Sequence, residues 1–225
     1  MQHIEIFEGD RASNYDSFIS SWMPHYPWLV EQLPSILWDA KESEAHELLI
    51  AGCGTGNEII SFLQSEHPWQ ITGVDPSPEM IRLANEKLAN ASQVRLIEGL
   101  VNDLPKQASF SAATLILVLH FMPDDAGRLD LLRQISDRLI PGAPFLLVGM
   151  IGTPLELKRN LSILGRMLPE HINPADIEHR LHRIATLFDH ISEVHLLALL
   201  EQAGFGDTVR FFQASIYGGW LTKKQ

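Results

Sequence analysis

The chain has 225 residues, 45% of them hydrophobic and 20% charged, which suits one globular domain with a full core and argues against disorder. Its 28 acidic and 17 basic side chains leave a formal net charge of −11, a surface that repels phosphate backbones and disfavours nucleic acid as a partner. Cys53 is the single cysteine, which rules out an intramolecular disulfide and fits a reducing, cytoplasmic compartment. The opening residues MQHIEIFEGD lack the basic and then apolar pattern of a signal peptide, and no apolar run approaches the ~20 residues that span a bilayer.

Residues 1–44 are rich in aromatics (Tyr15, Trp22, His25, Tyr26, Trp28, Trp38) interrupted by Pro24, Pro27 and Pro34, and read as a helical lid segment. The three tryptophans read as core residues pinning a helix; Tyr15 and His25 are candidates for facing a ligand. From residue 47 onward, short apolar runs alternate with amphipathic stretches. Strands are predicted at 47–51, 70–75, 93–98, 113–119 and 144–151, with helices at 56–66, 78–89 and 125–139. Pro78 after Ser77, and the acidic pair Asp124 and Asp125, supply helix-start signals. The βαβα order implies a parallel sheet with helices on both faces, and continuous apolar runs such as 115–119 fit strands buried on both sides. Residues 154–190 read as two extra helices, followed by a helix at 193–203, a turn at Gly204-Phe205-Gly206, and strands at 208–212 and 216–222. So short a connection requires an antiparallel hairpin. The expectation is one α/β domain over 1–225: a lid (1–44), a cofactor-binding core (45–151), a helical insertion (152–191), and a C-terminal helix and hairpin (192–225).

The strongest motif is the run Ile50-Ala51-Gly52-Cys53-Gly54-Thr55-Gly56-Asn57, a strand entering three alternating glycines and then a helix. Glycine is needed where the backbone takes positive φ and where a ligand packs on bare main chain, and the helix beyond points its free N–H groups at whatever sits there. A dinucleotide fingerprint would place its third glycine at position 57, where this chain has Asn57, which disfavours a nicotinamide oxidoreductase. Asp75 ends the second strand. A carboxylate there can accept both O–H donors of a ribose diol, or it can cap the helix that starts after Ser77.

The run I-A-G-C-G-T-G, followed by G-V-D-P-S-P-E-M-I at 73–81, resembles the class I S-adenosylmethionine-dependent methyltransferase family. A-T-L-I-L-V-L-H-F at 113–121 and L-I-P-G-A-P-F-L-L-V at 139–148 match that family's fourth strand and its turn into the fifth. The resemblance implies a Rossmann-like, mostly parallel seven-stranded sheet with a C-terminal antiparallel hairpin, and S-adenosylmethionine as cofactor. It further implies that Ala51, Gly52, Cys53, Gly54 and Gly56 hold the methionine and ribose parts, that Asp75 and Pro76 hold the ribose, and that Leu100 and Val101 hold adenine. Val118 and Tyr15 would complete the cofactor site, with no metal. Three departures stand out: Ile50, Leu100 and Ser111 occupy positions where members usually carry acids. Asn102 or Asp103 is a candidate to supply the missing adenine acceptor.

His120, read at the carboxyl end of strand four, is the candidate general base, with a structural histidine capping the strand as the alternative. The implied function is methyl transfer to an unidentified small molecule enclosed by the N-terminal segment and the helices of 154–190. Two alternatives remain: a non-catalytic binder of S-adenosylmethionine or S-adenosylhomocysteine, and a protein like carboxy-S-adenosylmethionine synthase.

Overall fold

The structure is a computed structural model that describes residues 7–23, 25–107 and 109–225. Most of the opening stretch read for a signal peptide, and Pro24, lie outside the described residues. Three helices come first: α1 (Gly9–Ser13), α2 (Tyr15–Trp22) and α3 (Tyr26–Ala40). Alternation then begins with β1 (Glu47–Ala51), α4 (Asn57–Gln64), β2 (Gln70–Asp75), α5 (Pro78–Lys87), β3 (Val94–Glu98), β4 (Ala112–Ile116), α6 (Asp125–Ser136) and β5 (Pro144–Met150). The chain closes with α7 (Pro154–Met167), α8 (Pro174–Leu187), α9 (Glu193–Gln202), β6 (Phe205–Ala214) and β7 (Tyr217–Lys224).

Side-chain caps fix where the helices start. Ser77 accepts the Met80 N–H at α5, Asp124 the Gly127 N–H at α6, and Thr153 the Glu156 N–H at α7. The seven strands form one sheet in the order β3-β2-β1-β4-β5-β7-β6. The first five are parallel; β7 runs antiparallel to both β5 and β6. This is the predicted architecture. Alternate residues of each central strand enter opposite layers: Leu48, Ile50, Leu146 and Val148 pack under α3, α4, α5 and α7, whereas Leu49, Ala51, Phe145 and Leu147 pack under α6 and α9.

Three local readings change. Strand four ends at Ile116, not residue 119, because Leu117 takes a left-handed φ of 59° and the chain turns into a 3-10 segment at Leu119–Phe121. His120 therefore sits in that segment, beyond the strand. Only Gly204 (φ 85°) makes the turn after α9, so β6 begins at Phe205. Trp28 is 56% exposed, against the expectation of a core residue, while Trp38 is half-buried and stacks on His67 at 4.1 Å. Ser111, read as a departure from the family resemblance, is a buried hydroxyl that donates to the Glu47 carbonyl.

Candidate active site

Because β1 leads outward to β2 on one side and β4 lies on its other side, a crevice opens beyond the carboxyl ends of β1 and β4, where open α/β sheets bind ligands. A cavity of about 170 Å³ occupies that place. Its walls come from the ends of four strands: Ala51, Gly52 and Gly54 after β1; Asp75 and Pro76 after β2; Leu100 and Val101 after β3; Val118 after β4. Tyr15 of α2 completes it.

The glycine turn is held from below. Gly52 and Cys53 both donate their N–H groups to the Val74 carbonyl, at 2.8 and 3.0 Å. Gly52 has φ 72°, and a Cβ there would lie 2.4 Å from Val118 Cγ2. Gly54 has φ 52°, yet a Cβ there would meet no protein atom within 4 Å, so it would project into open space at a position lining the cavity. These two glycines thus serve different needs, packing and ligand space. Asp75 accepts the Gly54 N–H on Oδ2 and the Ser77 N–H on Oδ1, each at 2.9 Å. Burial pushes its carboxyl up, and those two backbone bonds pull it down. Ser77, not Asp75, caps α5.

Two expected cofactor contacts do not line the cavity. Cys53 is buried with its sulfur against Gly73, where a Cβ would meet Sγ at 3.0 Å. Gly56 (φ 84°) is the N-cap of α4, and a Cβ there would meet Leu88 at 3.0 Å. Ile50 is fully buried in the core, so no carboxylate replaces it at that position. At the far end, Asp103 accepts the Leu100 N–H at 2.7 Å and is thereby committed, whereas Asn102 lines the cavity.

A network that no sequence motif signals fastens α2 over the turn. Asp16 accepts from Thr55 Oγ1 at 2.5 Å and from Asn57 Nδ2 at 2.9 Å, and pairs with Lys87. Lys87 also donates to Thr55 and to Asn57, each at 2.9 Å. Burial raises the Asp16 pKa, but the bonds from Lys87, Thr55 and Asn57 hold it below the usual carboxylate range. Asn57, which denies the dinucleotide spacing, is thus a tether. Its partners lie 41 and 30 residues away, a separation no motif encodes.

A second cavity, of about 380 Å³, adjoins the first through the shared residues Phe7, Tyr15, Leu117 and Phe121. His120 lines this one and not the first. It is half-buried against Phe121 and Phe188, with a buried Nδ1 that lacks any protein partner. Burial, then the charges of His190, Arg180 and Arg128, push its pKa down to about 3. A titration of His120 near neutrality, the basis for reading it as a base, is therefore not expected; its ring is neutral at pH 7. His25 is exposed and lines neither cavity, which removes it as a lid contact.

Glu58, in the first turn of α4, was also missed. It is buried, accepts from Thr114 Oγ1 at 3.0 Å, and is pushed up to about 8 by burial, with the Thr114 bond opposing. In the unfolded chain it would ionise near 4.5, so between about pH 4.5 and 8 the folded state holds the proton that the unfolded state releases. Its stabilising contribution is complete below the lower value and lost as pH rises through the upper. Glu58→Gln is expected to flatten this decline, leaving the variant more stable than the parent at alkaline pH. Equal pH slopes in urea titrations of the two proteins would reject that assignment.

A seven-stranded sheet ending in an antiparallel hairpin, with a glycine turn and an acid over its switch point, defines a Rossmann-like α/β domain. A family model described as a methyltransferase domain matches residues 49–145, and through this core the chain is similar to the class I S-adenosylmethionine-dependent methyltransferase family. It is 31% identical over 166 residues to erythromycin 3''-O-methyltransferase of Saccharopolyspora erythraea, covering 68% of this chain and 52% of that protein. It is 29% identical over 135 residues to demethylmenaquinone methyltransferase of Staphylococcus aureus, covering 59% of this chain and 52% of that protein. The chain thus spans about half the length of these curated relatives. Among solved structures, magnesium protoporphyrin IX methyltransferase from Synechocystis with bound S-adenosylhomocysteine superposes with a TM-score of 0.63 at 15% identity, covering 92% of this chain and 86% of that one. Human N-acetylserotonin methyltransferase with S-adenosylmethionine gives 0.60 at 18% identity, covering 93% and 58%. The relatives named are all methyltransferases, which does not favour the binder and synthase alternatives. Among the described residues, no helix is long and apolar enough to cross a membrane, and no cluster of His, Cys, Asp and Glu could hold a metal ion.

Proposed function

We propose that this protein transfers a methyl group from S-adenosylmethionine to a small molecule held in the second cavity. The observation that carries this reading is Asp75, fixed by two backbone N–H groups beside a glycine whose missing Cβ leaves space at the wall of the cavity. In the proposed arrangement Asp75 accepts the ribose hydroxyls, Gly52 and Gly54 give their bare main chain to the methionine and ribose parts, and Pro76 and Val118 give apolar contact. Ala51 belongs to the same wall. Leu100 and Val101 flank adenine, and Asn102 is the polar group available to its edge. Cys53 and Gly56 support the turn from behind.

S-adenosylmethionine, when bound, supplies an electrophilic methyl on a sulfonium that leaves without acid assistance. What the chain adds is placement, and holding reactants in line is worth at most ~7–11 kcal/mol. Tyr15 is common to both cavities, and its aromatic face suits a sulfonium. Its hydroxyl stays protonated, pushed up by burial and by the neighbouring Glu58, Asp75 and Asp16 carboxyl groups. His120, neutral and with a spare Nδ1, is proposed to orient a substrate hydroxyl through a hydrogen bond. We assign residues 152–191 and α2 to the walls of the substrate chamber, and the protein to the cytoplasm on its single cysteine. The net charge of −11 supports a small molecule over nucleic acid as the acceptor.

Asp75→Ala tests the central assignment. It is expected to weaken S-adenosylhomocysteine by ~1.5–3 kcal/mol, the worth of hydrogen bonds to a charged group. The deoxyribose analogue lacking the second hydroxyl should lose far less in the variant than in the parent. Equal losses for both ligands, measured calorimetrically, would leave Asp75 a structural anchor of the turn.

A further inference from the structure

The second cavity combines aromatic walls with arginine side chains. Phe18, Phe121 and Phe188 line it, together with Arg180 and Arg183, three residues apart on α8. Three arginines elsewhere meet carboxylates, Arg82 with Glu79 and Glu86, Arg128 with Asp125 and Asp189, and Arg210 with Glu193, whereas no carboxylate pairs with Arg180 or Arg183 among the described residues. Among the described residues, no aspartate or glutamate lines the chamber.

Arg180 is the more committed of the two. Its guanidinium lies over the Phe18 ring at 4.6 Å and near the Trp22 ring at 5.9 Å, which fixes the fork against α2. Its Nε is buried without a hydrogen-bond partner. Burial, and the like charges of Arg183 and Arg11, make its cation costlier than one in water, with Tyr217 and Tyr15 acting the other way. A half-buried guanidinium with a donor left over, in a chain carrying 28 acidic residues, is a mismatch that an incoming anion would resolve. The planar fork suits a carboxylate in particular.

We propose that the second cavity takes an aromatic carboxylic acid, its carboxylate held by Arg180 and Arg183 and its ring among Phe18, Phe121 and Phe188. This rests on the methyl-transfer reading and deepens it by naming the chemical class of the acceptor. With the carboxylate at α8, the rest of the ring system extends toward Leu117 and Tyr15, the wall shared with the first cavity.

The probes are hydroxynaphthoate, a fluorescent hydroxyaromatic acid, and naphthol, its neutral counterpart. Each is titrated into the protein alone and into protein saturated with S-adenosylhomocysteine. The parent is expected to bind the acid at least ~10-fold more tightly than the neutral probe, the effect of one charge-assisted hydrogen bond. Arg180→Met keeps apolar contact with Phe18 and should erase that preference while leaving naphthol unchanged; Arg183→Met should reduce it. Neither arginine lines the first cavity, so S-adenosylhomocysteine affinity should not move in either variant. Equal affinity for the two probes in the parent, no binding of either, or a preference that survives Arg180→Met would each overturn the proposal. Failure of the parent to bind S-adenosylhomocysteine would instead overturn the methyl-transfer reading, because the probe titrations without it still report on the arginines.

Discussion

Gly54→Val is expected to lower affinity for S-adenosylhomocysteine at least ~100-fold, more than ~2.7 kcal/mol, while the protein stays folded. The added side chain meets no protein atom within 4 Å of its Cβ, so the substitution does not disturb packing. It enters the cavity instead, beside the Asp75 carboxylate that accepts the Gly54 N–H at 2.9 Å. A left-handed φ of 52° adds strain to any residue with a Cβ, about 1–2 kcal/mol of stability. Gly54→Ala carries the same strain with less intrusion, so the difference between the two variants isolates the space-filling part. Folded Gly54→Val protein with parental affinity would remove the first cavity as the nucleoside site.

The largest expected loss of stability lies at a residue that lines neither cavity. Trp220 on β7 is fully buried in the same apolar layer as Phe145 and Phe205, under α9, and its Nε1–H donates to Glu193 at 2.9 Å. Trp220→Ala should cost ~3–5 kcal/mol, through lost burial and the cavity left behind. For a chain of this length that lowers Tm by ~6–20 °C. Trp28 supplies the contrast: with 56% of its surface exposed, Trp28→Ala should fall within about 0.5 kcal/mol of the parent. Thermal melts showing comparable losses for the two variants would contradict the assignment of buried and exposed tryptophans.

The strands and the glycine turn were legible because they depend on local chemistry. Apolar runs bounded by glycine or proline mark β1, β2 and β5, and the spacing of Gly52, Gly54 and Gly56 reports a βα turn. Asp75 was legible for the same reason, as an acid where a strand ends. The end of β4 was not, because the left-handed turn falls on Leu117, a residue type that gives no warning of positive φ. Trp28 and Trp38 are the same residue type on one helix but not in one environment; which face of α3 meets the core is decided by packing that a local window does not contain. Asp16, Lys87 and Arg180 belong to the sites through contacts that span tens of residues, so their roles emerge only when α2, α5 and α8 are brought together.

The fastening of α2 has a thermodynamic consequence. Asp16 and Tyr15 are neighbours in sequence, as are Thr55 and Gly54, so the joint that holds the roof of the second cavity is built on the same turn that walls the first. Movement of either is felt by the other through Thr55, Asn57 and Lys87. Under the proposed function, linkage between the two sites is reciprocal: by whatever factor a bound nucleoside tightens the hold on an acceptor through this joint, a bound acceptor tightens the hold on the nucleoside. Cooperativity between cofactor and acceptor would then be a property of one small polar joint rather than of the whole fold.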